Sequence, residues 1–522
     1  MRLLILIIIC GIVFPALSQD ETPEKAAFDL PDVVIKAEDR SKSDLLQKKD
    51  PGSIEVQYQK EIPTSQKINP DILEADKALP ELSTEKKDRT ELSQFYFAMG
   101  NIIPVSYRFV HGRTLQSSSY LWELSREYRG EYIPNAKSSL DGLSIDYTFK
   151  LSPQEKLSIS SRFEKKTTTL PTAQSVSSGN YELTFLPSLL TYERILGQSG
   201  SINAAFRIDN LDIQAGDRLR NCFGLEANAA YKNTISSELS YEVSSKLNNA
   251  VSKAGINLQY KPEGNSPLQG SIGTDYYRTF LPKVQNESFL APSFGLRYEL
   301  SDNTLFHLAY NPGILDLYAG ATYTAREYTE INYSLMPQTR VSSWQGIISQ
   351  QLYKQLNWQA RLSVSRTKQT IGYADSNNNG FIEPVNLGWG NLFEAELNLN
   401  YYINSLYSLL IDYHYQNNRL DSGQQVPGKP GQVLGIKLNY KDAEESLDAV
   451  IELKYTADQV DMINTAQKLP DYFLVNLEAS KAINRNLKVN AGIKNIFNTV
   501  YFQRGDFREP GLSIQLGAET AF

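Results

Sequence analysis

Among the side chains able to do chemistry, one loop has ligand-like spacing. Asp375-Ser376-Asn377-Asn378-Asn379-Gly380 places oxygen ligands at alternate positions and a glycine at the sharp turn, as in the opening of a calcium loop. Glu383 follows, but the twelfth position, where a bidentate glutamate is wanted, holds Asn386, and both flanks read as strands rather than helices. An Asx-rich turn at a loop tip accounts for the same residues. No metal is therefore assigned, and Asp375, Asn377, Asn379 and Glu383 stand as a weak calcium candidate. His111, His307 and His414 are too scattered to form a triad or a ligand cluster, and Glu444-Glu445 reads as a solvated turn. With 3 His, 4 Met and 2 Cys, haem, iron–sulfur and zinc chemistry find few ligands. The expectation is a protein without a cofactor and without an enzymatic centre. A second group is Tyr318, Tyr323, Tyr328 and Tyr333, aromatics on one long loop. They could stack on a planar ligand or a sugar, or pack at a membrane rim.

The elements that would position these residues follow from composition and periodicity. The chain has 522 residues, 41% hydrophobic and 21% charged, with 31 Tyr and 21 Phe. Its net charge of -7 leaves no basic footprint, which excludes nucleic acid as a partner. Met1-Arg2 and the apolar run Leu3–Leu17, followed by small residues near Gln19, form a secretory signal over residues 1–19. Removing it leaves Cys222 as the only cysteine, so no intrachain disulfide can form. Residues 20–90 are rich in Lys, Asp, Glu, Pro and Ser and bury too little apolar surface to offset chain entropy. They read as a flexible periplasmic segment. Its one apolar island, Leu30-Pro31-Asp32-Val33-Val34-Ile35, is either a linker stretch or a strand offered to a partner's sheet edge.

From residue 91 the texture changes. Leu143, Ile145, Tyr147, Phe149 and Leu151 alternate with Ser144, Asp146, Thr148 and Lys150. Phe393 to Tyr401, Phe473 to Ala479, Leu487 to Ile493 and Leu512 to Phe522 repeat the pattern. Period-two alternation means strands with one apolar and one polar face. About 22 such segments of about ten residues fit tilted strands crossing a bilayer. Short connections such as 152–154, 232–234, 301–303, 403–405 and 484–486 alternate with long ones near 165–180, 311–340, 369–391 and 416–432. In a transmembrane barrel the short turns are periplasmic and the long loops extracellular. That places Phe522 and the N-terminal segment on the periplasmic side. The fold expected is all-β: an antiparallel up-and-down barrel over 91–522 in the bacterial outer membrane, contacting its lipid. Soluble sandwich domains are the alternative.

The C-terminal part also resembles a known family. Lys468-Leu469-Pro470-Asp471-Tyr472, then Gly492-Ile493-Lys494-Asn495-Ile496-Phe497-Asn498 with Tyr501, and Arg508-Glu509-Pro510-Gly511 are similar to landmarks of the TonB-dependent outer-membrane receptors. Pro384-Val385-Asn386-Leu387-Gly388 is similar to another. The resemblance implies that the terminal Phe522 is read by the outer-membrane assembly machinery. It also implies that Asp32, Val33, Val34 and Ile35 sit where the family engages its energy-transducing partner. The family's plug domain has no counterpart in residues 20–90. The lumen would then be filled by that segment, by loops, or by a separate plug or periplasmic protein. Transport of a solute is the leading expectation; a surface receptor or scaffold and a passive pore are the alternatives.

Overall fold

The computed structural model describes residues 91–522, apart from 131–136, 170–179, 198–199, 214–216, 219–221, 232–234, 247–248, 261–266, 281–286, 302, 315–334, 337, 375–381, 462–466, 505–506 and 510. The described residues contain strands and no helix. One sheet holds 24 strands. Two of these, Asp217–Arg218 and Gly313–Ile314, are two-residue extensions beside longer strands. The other 22 pair antiparallel in chain order, from Glu91–Gly100 with Val105–Thr114 onward. The last, Ser513–Ala521, pairs back onto the first, from Gln94↔Ala521 to Gly100↔Gln515. Every strand of the ring therefore has two partners, which is how a sheet loses its edges.

The faces are inverted relative to a soluble protein. Leu362 and Val364 are 56% and 53% exposed, whereas their strand neighbours Ser365 and Thr367 are buried. Register carries the apolar row across strands as Trp344↔Val364↔Phe393. The polar row beside it runs Gln345↔Ser363↔Glu394↔Gln416. Exposed aliphatics outward and polar groups inward are what a bilayer around a water-filled lumen demands.

The short connections show why the chain reverses where it does. Asn404 Oδ1 accepts from the backbone N–H groups of Leu406 and Tyr407, both at 2.9 Å. Asn484 does the same for Asn486 and Leu487, and Asp442 for Glu444 and Glu445. Each is an Asx turn closing a hairpin. At this same end the aromatics gather: Phe109 with Trp122 at 4.9 Å, Tyr147 with Phe149 at 4.2 Å, and Tyr407 with Tyr440 at 5.1 Å between ring centroids. Amphipathic rings at one rim form an interfacial girdle. Trp358 and Trp389 lie at strand ends and Trp122 packs on Phe109 in that girdle, whereas Trp344 sits further in, packed on Tyr310.

Two details differ from the sequence expectation. Strands run past the expected loop bounds, to Thr169 and Leu420, because register continues beyond the apolar band. The short–long alternation also fails once. Only residues 247–248 separate Ile235–Lys246 from Asn249–Tyr260 on the long-loop side, while 261–267 intervene at the next turn. A two-residue hairpin suffices wherever paired strands extend to their tips.

Candidate functional site

The inward face of the strands Thr339–Leu352, Leu356–Lys368, Gly390–Tyr402 and Tyr407–Leu420 forms a polar wall. Arg361 Nη1 lies 3.1 Å from Glu396 Oε2, directly opposite in register. Gln359 donates to Ser349 Oγ at 2.9 Å, and Asn418 donates to Gln416 Oε1 at 2.8 Å. Farther round, Glu452 takes an ion pair from Lys437 at 3.1 Å and a hydrogen bond from Asn476 at 2.9 Å. Across Val105–Thr114 and Ser118–Arg129 the wall is ionic, as in the pair Arg108–Glu123 at 2.8 Å. Facing charges in these rows pair across the strands, each pair contributing little in a solvated lumen.

At the long-loop end, loops are tied to one another. Asn386 accepts from the backbone N–H of Met336 at 2.7 Å and donates to the carbonyls of Met336 and Gln369. The N–H of Ile371 donates to Gln338 Oε1 at 2.8 Å. Ile314 is buried against Tyr277 and Phe289. Met336 and Gln338 are thus joined to the segment 369–389 by two side-chain amides, those of Asn386 and Gln338. Arg366 forks onto Asp421 and lies 5.0 Å from the Trp389 ring centroid. That guanidinium holds the Asp421 carboxyl below the usual carboxylate range. Lys468, hydrogen-bonded to Asp458 at 2.9 Å, is held above the usual ammonium range. Asn386→Ala leaves the Met336 N–H and two carbonyls without their partner, a cost of about 1–3 kcal/mol for groups kept from water. We expect faster protease cleavage within 311–338 and 369–389 together, with the barrel intact; cleavage in one loop alone would contradict the joint tether.

The residues singled out in the sequence fall unevenly. Asp32, Val33, Val34 and Ile35, Tyr318, Tyr323, Tyr328 and Tyr333, and Asp375, Asn377 and Asn379 lie outside the described residues. Glu383 stands opposite Ala374 in a small hairpin, and the Asn386 amide is engaged by loop backbone. His111 bonds Ser93 at 2.8 Å and Tyr120 at 3.1 Å in the girdle. His307 faces Arg297, and His414 faces Glu396, in separate positions on the wall. The N–H of Phe522 donates to the Ser93 carbonyl at 2.9 Å, and its ring lies 6.2 Å from Phe109.

The motif near the C-terminus proves to be backbone chemistry. Asn495 and Asn498 take positive φ, 49° and 53°, the left-handed region asparagine tolerates. The Asn495 side chain bonds Thr499 through both N–H and carbonyl, each at 2.8 Å. Asn498 Oδ1 accepts from Leu512 N–H, and a Cβ on Gly511 would collide with that oxygen. The wall residues were missed as a site, although the polar half of the alternation was their signal.

These features meet a family description at this point. A sequence model described as "TonB dependent receptor-like, beta-barrel" matches residues 88–496. The chain belongs to that family. Its setting is accordingly the bacterial outer membrane, and its role at the general level is transport, with TonB and a transported ligand as the partners the family implies. Among solved structures, the FrpB iron transporter of Neisseria meningitidis shares the fold at a TM-score of 0.66 and 14% identity, covering 83% of this chain and 81% of that one. The copper transporter OprC gives 0.63 at 10% identity, with 83% and 80% covered. The siderophore receptor PiuA of Acinetobacter baumannii gives 0.61 at 13%, with 83% and 82% covered. No curated protein matches the sequence. At such identities the likeness of the TonB-dependent receptor structures is one of fold.

Proposed function

We propose that this chain carries a solute across the outer membrane in an energy-dependent way, with its long loops outside and its N-terminal segment in the periplasm. The observation that carries the reading is the ring of 22 paired strands whose inward face is polar. A barrel of that size encloses far more space than side chains can fill. Residues 32–35 would add as a strand to the sheet edge of a TonB-like protein. Tyr318, Tyr323, Tyr328 and Tyr333 would make first contact with solute outside. The ionic wall near Arg108 and Glu123 suits a lumenal occupant rich in Lys, Asp and Glu, either residues 20–90 or a separate plug protein.

The test uses the full chain and a variant lacking residues 30–36, each incubated with the periplasmic domain of the host's TonB-like protein. The intact chain is expected to retain that domain and the variant to lose it, while both keep the heat-modifiable mobility of a folded barrel. Equal retention by the two would contradict the coupling role.

A further inference from the structure

Two arcs of the lumen wall differ in chemistry. The four strands Val105–Thr114, Ser118–Arg129, Ser138–Ser152 and Glu155–Thr169 contain neither Asn nor Gln. Their inward positions carry ions such as Arg108, Glu123, Lys156 and Arg162, paired with acidic or basic neighbours. The four strands between Thr339 and Leu420 are the reverse. Their inward positions carry Gln345, Gln359, Asn398, Asn400, Gln416 and Asn418. The inward charges among them include Arg361, Glu394, Glu396 and Asp412, and Arg361 is matched by Glu396.

We infer that this amide-rich wall is the binding face for a neutral, polyhydroxylated solute of the oligosaccharide class. A carboxamide presents two donors and an acceptor without charge, the pattern that complements a hydroxyl able both to donate and to accept. An ionic wall would instead select ions of opposite sign and bind them in a salt-dependent way. Two of these amides have capacity left over: the side chains of Gln345 and Asn398 make no hydrogen bond with described groups. Register places Asn398 directly across from Gln359, and Ser363 directly across from Gln345. Amides and hydroxyls therefore recur in adjacent rows, a spacing that suits successive sugar rings rather than one small ion. The inference rests on the reading of the barrel as a transporter and names its cargo class.

The experiment is calorimetric titration of the full chain in detergent with maltohexaose, cellohexaose and, as a charged counterpart, trigalacturonate. At least one neutral oligosaccharide is expected to bind with an affinity unchanged between low and high salt. The double variant Gln359→Glu, Asn398→Asp keeps side-chain size and should weaken it by about tenfold or more. Heat-modifiable mobility checks that the variant is folded. Binding of trigalacturonate alone, binding of nothing, or binding that the double variant leaves unchanged would each overturn the inference. Conductance in a planar bilayer is read separately. A conducting barrel that binds no neutral oligosaccharide keeps the transport reading and loses this one. A sealed, uncoupled barrel that still binds does the opposite.

Discussion

Gly100→Ala is expected to prevent the barrel from accumulating in the outer membrane. Gly100 ends the first strand, opposite Gln515 of the last, and a Cβ there would collide with the Ile514 backbone oxygen. That carbonyl cannot move freely, because it accepts from the Asn101 N–H at 3.2 Å. Asn101 also spans the seam with its side chain, donating to Leu512 O at 3.0 Å and accepting from Ile514 N–H at 2.8 Å. Overpacking of this kind costs about 1–3 kcal/mol in an ordinary core. Here the strain falls on the pairing that closes the ring, and an open ring exposes two strand edges to lipid, where unpaired backbone groups cost several kcal/mol each. Semi-native electrophoresis of outer-membrane fractions reads the outcome as loss of the compact band. Met99→Ala, at an exposed outward position, is the matched control and should leave that band unchanged.

Leu362→Arg and Ser363→Arg should behave oppositely although they are neighbours. Leu362 points outward from the middle of Leu356–Lys368, and an arginine there meets hydrocarbon at a cost of about 2–4 kcal/mol. Ser363 points inward, opposite Glu394 and Gln345, where a cation meets water and a carboxylate. Denaturant titration in lipid vesicles should show a lowered midpoint for the first variant and little change for the second. Equal destabilisation by both would mean that the two faces are not in different solvents.

The fold was legible because the alternation is physical. Leu143 to Leu151 and Phe393 to Tyr401 declare which face meets lipid, and Asn404 and Asn484 declare where strands reverse. Strand tips were less legible: the pairing that carries Glu155–Thr169 and Tyr407–Leu420 past the membrane is made by backbone, and polar residues such as Thr167 and Asn418 give no apolar signal there. The seam was invisible, since nothing in the sequence says that Gly100 lies against Ile514, 414 positions away by number. Asn386 stood in the sequence as the departure from a calcium-loop pattern, and its amide serves Met336 in another loop, a contact between distant segments that spacing does not show. The amide wall, spread over four strands, becomes a surface only when register sets Gln345, Asn398 and Gln416 on one side.

The central claim, a ring with hydrocarbon outside and water inside, is tested most directly by single cysteines placed at each position from 357 to 365 in a Cys222→Ser background. In intact outer membranes, cysteines at 357, 359, 361, 363 and 365 should react with a water-borne thiol reagent. Those at 358, 360, 362 and 364 should resist it and react with a lipid-soluble one. Reaction without that two-residue rhythm, or reaction of both sets from water, would contradict the account.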